Sequence, residues 1–191
     1  MVLNMAKKSV NKFVLLPLFL GSVCLISGGI IAGVNSFTEP VIEQRIIDQQ
    51  NAGYYKVLEI ESADAPTDLT PSAALAAKGV TSKKEFKSGS TKIGFVYDVT
   101  VSGYGGKIMF QVGFKDGKFS GFNVISHSET PSFGGVVIPK VDERIKNQDA
   151  SSNVLDLLNG TDNLTAGKTV TGNALVAGLS ACANDYLTEV A

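Results

Sequence analysis

Hydrophobic residues are concentrated in one long stretch near the start of the chain. Residues 13–38 contain 26 consecutive positions without a charge, bounded by Lys12 and Glu39. A helix needs about 20 apolar residues to cross a bilayer, and proline and glycine are tolerated within it. The pattern predicts a transmembrane helix over residues 13–36, preceded by a short segment, 1–12. A cleaved signal peptide is the alternative, which the length of the stretch and the lack of a small-x-small cleavage site disfavour.

The charges that flank the apolar stretch predict its orientation. Lys7, Lys8 and Lys12 precede it, whereas the first charged residues after it include Glu39 and Glu43. Because basic residues are retained on the cytoplasmic side, the N-terminus is expected in the cytoplasm. The chain is therefore expected to be a single-pass protein of the cell membrane, in contact with membrane lipid, whose main domain is extracytoplasmic.

Residues 37–90 are predicted to form a membrane-proximal helix and a connecting region. Apolar residues recur at helical spacing from Val41 to Leu58, and Pro40 suits the first turn of a helix that leaves the membrane. Residues 61–84 contain Pro66, Pro71 and several serines and threonines, which favours a loop around a short helix.

The remainder, residues 91–191, contains apolar residues spaced first as in a strand and then as in a helix. Apolar side chains occupy every second position of one segment: Ile108, Phe110, Val112 and Phe114. A Lys-Asp-Gly turn at 115–117 leads into a second such run. Near the end, apolar positions follow helical steps: Leu175, Leu179, Cys182 and Tyr186. The predicted fold class is α+β: a transmembrane helix followed by an antiparallel sheet packed by helices.

Composition excludes several functions. The 17 basic and 18 acidic residues nearly cancel, so no strong field favours nucleic acid. His127 is the only histidine, and without a cluster of other ligands no metal site is expected. Cys24 lies in the apolar stretch and Cys182 in the distal domain, so a disulfide framework is not expected.

A Gly-Lys-Thr triplet at 167–169 raises the question of a bound phosphate. A nucleotide-binding P-loop needs a glycine five residues before the second one, and that position is Asp162. Two interpretations remain. The triplet opens the last helix, whose N-terminus and Lys168 could hold a phosphate. Alternatively, Thr171 or Asn173 caps the helix and nothing binds.

Two stretches resemble one known family. Residues 103–134 read GYGGKIMFQVGFKDGKFSGFNVISHSETPSFG, which closely resembles the FMN-binding domains that carry Gly-Tyr-Gly-Gly, a hairpin and His-Ser-Glu-Thr-Pro-Gly. The segment around the triplet is similar to the flavin attachment motif of the same family, Ser/Thr-Gly-Ala-Thr-x-Thr-Ser. With a single N-terminal span, the chain looks like the G subunit of Rnf electron transport complexes. The C subunit of sodium-pumping quinone reductases is the close alternative.

The resemblance implies that FMN is bound covalently, through its phosphate, to Thr169. A separate flavin transferase makes this phosphodiester in the family. Gly167, Lys168 and Thr171 are then the neighbouring cofactor-binding residues. The chain departs from the family pattern at Ala166, where the family has Ser or Thr, and at Lys168, where it has Ala.

Glu129, Thr130 and Gly134 are further candidates for flavin contacts, the first two through polar groups and Gly134 through close backbone approach. The alternative is that Glu129-Thr130-Pro131 simply forms a turn after a strand.

The resemblance implies an electron carrier without catalytic residues of its own. It would relay electrons through FMN within an ion-translocating ferredoxin:NAD oxidoreductase, together with the other subunits of that complex. A flavin-free extracytoplasmic binding domain is the alternative from another class, because Ala166 and Lys168 depart from the attachment motif.

Overall fold

The structure, a computed structural model, describes residues 12–61 and 63–190. The predicted cytoplasmic residues Lys7 and Lys8 lie outside the described residues. The chain divides into two compact units, residues 1–45 and residues 46–191.

One long helix precedes the strands, one short helix lies between the first two strands, and the other helices follow the last strand. The elements are α1 (Lys12–Leu58), β1 (Thr67–Leu69), α2 (Ala73–Ala76), β2 (Val80–Ser88), β3 (Thr91–Ser102), β4 (Lys107–Lys115), β5 (Lys118–His127), α3 (Val141–Ile145), α4 (Val154–Asn159) and α5 (Thr169–Val190). Two short 3-10 helices, Gly134–Val136 and Ile138–Lys140, lie between β5 and α3. The α+β class predicted from the sequence is confirmed.

Helix α1 is longer than expected. It continues through Pro40, which the sequence pattern placed in the first turn of a separate helix. That expectation was wrong because one proline removes a single backbone hydrogen bond, and a long helix can continue past it. Among the described residues of the first unit the large apolar side chains are exposed, for example Leu16 at 73% and Ile31 at 69%. This part of α1 is long and apolar enough to cross a membrane.

The second unit is built on a five-stranded antiparallel sheet in the order β1-β2-β3-β4-β5. The predicted turn at 115–117 is confirmed: Asp116 and Gly117 both have positive φ angles, as a two-residue hairpin requires. Strands β1 and β2, in contrast, include residues that were expected to form a loop between 61 and 84. That expectation was wrong because the charged residues of β2 conceal the alternation of a strand.

Both faces of the sheet are covered by helices. Helix α5 covers one face, where Leu175, Leu179 and Cys182 are fully buried, as their spacing predicted. The last turns of α1 cover the other face, where Val57 and Leu58 are 1% exposed. Residues 46–58 therefore belong to the second unit, and Tyr54, Val57 and Leu58 contribute to its core. The boundary expected after residue 90, between the membrane-proximal region and the domain of residues 91–191, remains a prediction.

Candidate functional site

A cavity of 470 Å³ opens where three connecting segments meet at one end of the sheet. The segments are the β3–β4 turn, the loop after β5 and the loop that enters α5. The residues that line the cavity are Tyr104, Thr130, Phe133, Gly134, Gly167, Lys168, Thr169, Val170 and Thr171. Its size lies within the range of roughly 300–1,000 Å³ that is typical of small-molecule sites.

The β3–β4 turn supplies an aromatic wall. The turn is closed by the N–H of Gly103, which donates to the carbonyl of Gly106 at 2.8 Å. Gly106 has a φ of 141°, a conformation that residues with a Cβ rarely adopt. Tyr104, between them, leaves its ring 79% exposed at the cavity. A large aromatic side chain is thus held out of the core by a turn made of glycines.

The loop after β5 supplies a second wall. The carbonyl of Thr130 accepts hydrogen bonds from the N–H groups of Phe133 and Gly135, both at 3.0 Å. This turn places the Phe133 ring at the cavity, 61% exposed. Gly134 is buried, and a methyl group in its place would overlap the Glu129 carboxylate. Gly134 is therefore required by the protein's own packing as well as by its position at the cavity.

The loop that enters α5 is fastened at two points. Asn159 Oδ1 accepts hydrogen bonds from the backbone N–H of Thr165 at 3.1 Å and from its hydroxyl at 2.6 Å. Arg144 bonds to Asp162 at 2.8 Å, and this bond lowers the pKa of the Asp162 carboxyl. Gly167 has a φ of 73° with open space beside it, so its backbone is accessible from the cavity.

Helix α5 begins at Thr169, whose side chain is exposed at the cavity. The ammonium of Lys168 lies 3.4 Å from the carbonyl of Leu164, on the loop that precedes the helix. The first N–H groups of a helix lack partners within it and carry a partial positive charge. The segment before the triplet is α4 and a turn, whereas a P-loop follows a strand. The geometry thus suits a phosphate but not a P-loop.

Glu129 lies at the junction of the three segments. It is 5% exposed, and one carboxylate oxygen accepts the Gly105 N–H at 2.8 Å. The other oxygen accepts the hydroxyl of Thr171 at 2.6 Å. Thr171 is 1% exposed, so its hydroxyl ties the helix to Glu129. This bond differs from the helix cap that the sequence pattern suggested for Thr171.

The structure brings six of the seven candidate residues to one cavity; the seventh, Glu129, does not line it but bonds to one that does. Sequence reasoning missed the large apolar residues that line the cavity, Tyr104, Phe133 and Val170. The sequence did contain a signal for these residues. Tyr104 and Phe133 are large apolar residues beside glycines in turns, and Val170 is at the start of a helix, positions that are usually exposed.

This arrangement can hold a planar aromatic ring that carries a phosphate. The exposed rings of Tyr104 and Phe133 offer apolar faces to a flavin ring system. The start of α5 and the Lys168 ammonium offer positive charge to the phosphate, and Thr169 offers an exposed hydroxyl beside them. The donor set therefore fits FMN.

Comparison with known proteins gives two findings. The FMN-binding domain family matches residues 103–184, which contain the β3–β4 turn, the loop after β5 and most of α5. The chain is also 32% identical, over 174 residues, to the G subunit of the proton-translocating ferredoxin:NAD(+) oxidoreductase complex of Clostridium ljungdahlii. That alignment covers 86% of each protein.

Proposed function

The chain belongs to the FMN-binding family of G subunits of Rnf-type ferredoxin:NAD(+) oxidoreductase complexes, and we propose that it is a membrane-anchored flavoprotein that relays electrons within such a complex. The observation that carries the proposal is the cavity between Tyr104, Phe133 and the start of α5. It has aromatic side chains for the flavin ring system and a helix N-terminus with Lys168 for the phosphate. The relative from Clostridium ljungdahlii is a G subunit, which favours this role over that of a C subunit of a sodium-pumping quinone reductase.

The proposed cofactor is FMN, attached through its phosphate to Thr169. The Thr169 Oγ atom forms an ester bond to phosphorus and loses its proton, while the pyrophosphate bond of a flavin dinucleotide donor breaks and the second nucleotide leaves. The net gain on the chain is FMN less one water. We assign this step to a flavin transferase; among the residues that the structure describes, the lining of the cavity offers no carboxylate or histidine to act as a base.

The remaining cavity residues bind and orient the flavin. The N–H groups of the first turn of α5, including that of Thr171, would bind the phosphate, and Lys168 would balance its charge. Thr130 and Gly134 would contact the flavin or its ribityl chain from the wall formed by the loop after β5. Gly167 allows the close approach of the backbone.

Bound FMN would supply the redox chemistry, since a flavin accepts and releases one or two electrons. The chain's own residues need to hold it in one place, exclude water from one face and leave the other open to a partner. The cavity is open to the surface, and the partners are the other subunits of the complex.

The apolar part of α1 anchors the protein in membrane lipid, with the N-terminus in the cytoplasm and the second unit outside. A cysteine introduced at exposed Ser151 tests this orientation. A thiol reagent that cannot cross membranes is expected to label Ser151→Cys in intact cells. Labelling that requires permeabilised cells would reverse the proposed orientation.

The attachment is tested by the intact mass of the full chain, purified from its own membranes and denatured. The expected mass exceeds that of the polypeptide by about 438 Da, which is FMN less one water. Thr169→Ala is expected to lose this addition. Thr161→Ala, at an exposed threonine of the same loop, is the matched control and is expected to keep it.

The outcomes separate the parts of the proposal. A yellow protein that loses its flavin on denaturation would retain the electron relay but contradict the covalent bond. A colourless protein with an unmodified mass would contradict the relay and favour a flavin-free binding domain. An addition that survives in Thr169→Ala would move the attachment to another residue.

A further inference from the structure

We propose that Glu129 is a positioning residue that fixes the width of the flavin cavity without binding the flavin. The inference rests on the proposed function, because it concerns how the flavin site is assembled. It starts from the burial of the Glu129 carboxylate. This carboxylate does not line the cavity, yet it bonds to the β3–β4 turn and to α5, two of the segments that form the cavity.

The two bonds of the carboxylate reach different parts of the fold. Gly105 follows Tyr104 in the β3–β4 turn, and Thr171 lies two residues after Thr169 in α5. A change in either bond would therefore move an aromatic wall or the attachment threonine. Glu129 itself precedes Thr130, which lines the third side. One carboxylate thus links all three segments that form the cavity.

Two glycines show that the surroundings are shaped around this carboxylate. A methyl group at Gly103 would overlap Glu129 Oε1, and one at Gly134 would overlap Oε2 and come within 2.6 Å of the Thr171 hydroxyl. The β3–β4 turn and the loop after β5 therefore each place a glycine beside the Glu129 carboxylate, and α5 places the Thr171 hydroxyl there. The backbone of Glu129 is held as well, since its N–H donates to His127 Nδ1 at 3.2 Å.

The distances are those of strong hydrogen bonds to a charged acceptor. A carboxylate at 5% exposure that lost one donor would be left partly unpaired, which is unfavourable in a buried position. The side chain is also buried and does not line the cavity, so its two oxygens serve the bonds within the protein. This separates its role from that of Lys168 or Thr169, which face the cavity.

Two pairs of variants test the inference in the full chain, purified from its own membranes. Glu129→Ala and Thr171→Val remove the bonds. Glu129→Gln and Thr171→Ser can keep them, because an amide nitrogen can donate to the Thr171 oxygen and serine retains the hydroxyl. Thr188→Val, at an exposed threonine near the other end of α5, controls for loss of a hydroxyl from this helix.

The readouts are the fraction of protein that carries flavin, from intact mass, and the fluorescence anisotropy of the flavin that is attached. Glu129→Ala and Thr171→Val are expected to lower the fraction at least fivefold. Their remaining flavin is expected to have lower anisotropy, because the walls no longer hold the ring. Glu129→Gln, Thr171→Ser and the control are expected to stay within twofold of the wild type in both readouts.

Anisotropy distinguishes positioning from general stability, since a variant that is only less stable holds the flavin normally in its folded molecules. Wild-type occupancy and anisotropy in Thr171→Val would overturn the inference, as would equal losses in Glu129→Gln and Glu129→Ala. Failure of the wild type itself to carry flavin would instead contradict the proposed function.

Discussion

The last turns of α1 are expected to supply a large part of the stability of the second unit. The perturbation is their removal: a fragment of residues 46–191 is compared with one that begins at residue 59. Both retain all five strands and α5. The comparison therefore isolates the contribution of residues 46–58.

The expected loss follows from burial. Tyr54, Val57 and Leu58 are 7%, 1% and 1% exposed, and they cover Phe86 and Val96 on the sheet. Full burial of a large apolar side chain contributes about 1.5–3 kcal/mol, and such values are upper estimates. Three side chains therefore contribute about 5 kcal/mol. A domain of this size has a total stability of about 5–15 kcal/mol.

Hydrogen bonds add to this contact. The Tyr54 hydroxyl donates to Asp98 Oδ2 at 2.7 Å, and the Gln111 side chain donates to Asp98 Oδ1 at 2.8 Å and to the carbonyl of Gln50 at 2.9 Å. Tyr54→Phe leaves one oxygen of Asp98 without this donor, at a cost of about 1–2 kcal/mol. Tyr55→Phe is the matched control, because Tyr55 is 38% exposed and its hydroxyl can bond to water.

Urea denaturation measures both effects. The chain has no tryptophan, so unfolding is followed by far-ultraviolet circular dichroism. The fragment that begins at residue 59 is expected to be unfolded, or to unfold at a much lower urea concentration than residues 46–191. Equal midpoints and slopes for the two fragments would refute the reasoning, as would equal effects of the Tyr54 and Tyr55 variants.

Three further predictions concern the sheet and the helix that covers it. Gly178→Val is expected to destabilise the second unit by about 1–3 kcal/mol in urea denaturation, because even a methyl group would lie 3.2 Å from the Phe110 ring. Burial lowers the pKa of Lys83, but bonds to two carboxylates of α5 outweigh it and raise that pKa. The stability difference between the wild type and Lys83→Met, measured by thermal unfolding, is therefore expected to be constant between about pH 6 and pH 10, where the partner carboxylates stay ionised, and to shrink as the pH rises further. A hydrogen bond from Lys87 lowers the pKa of Glu85, so the advantage of the wild type over Glu85→Gln is expected to be present above about pH 4.5 and to disappear at lower pH.

The parts of the site that could be predicted from sequence lie close together along the chain. The triplet at 167–169 and the start of α5 are adjacent, so a phosphate-binding site could be proposed from the local sequence pattern alone. The aromatic wall could not, because Tyr104 and Thr169 are brought together only by the pairing of β3 with β4 and the packing of α5 on the sheet. Glu129 was predicted as a flavin contact, since sequence does not reveal that a carboxylate is buried.

Features with a local cause were readable from the amino-acid order: the apolar helix of α1, the Asp116-Gly117 turn and the buried stripe of α5. Each depends on a composition or a period within a short segment. Strand β2 is different, because it begins in a segment whose prolines, serines and threonines suggested a loop, and its place in the sheet depends on distant partners. Lys83 is buried there because Asp185 and Glu189, about a hundred residues later in the chain, lie 2.6 and 2.7 Å from its ammonium. A charge can enter a sheet when its partners come from another element, and their arrival depends on the fold as a whole.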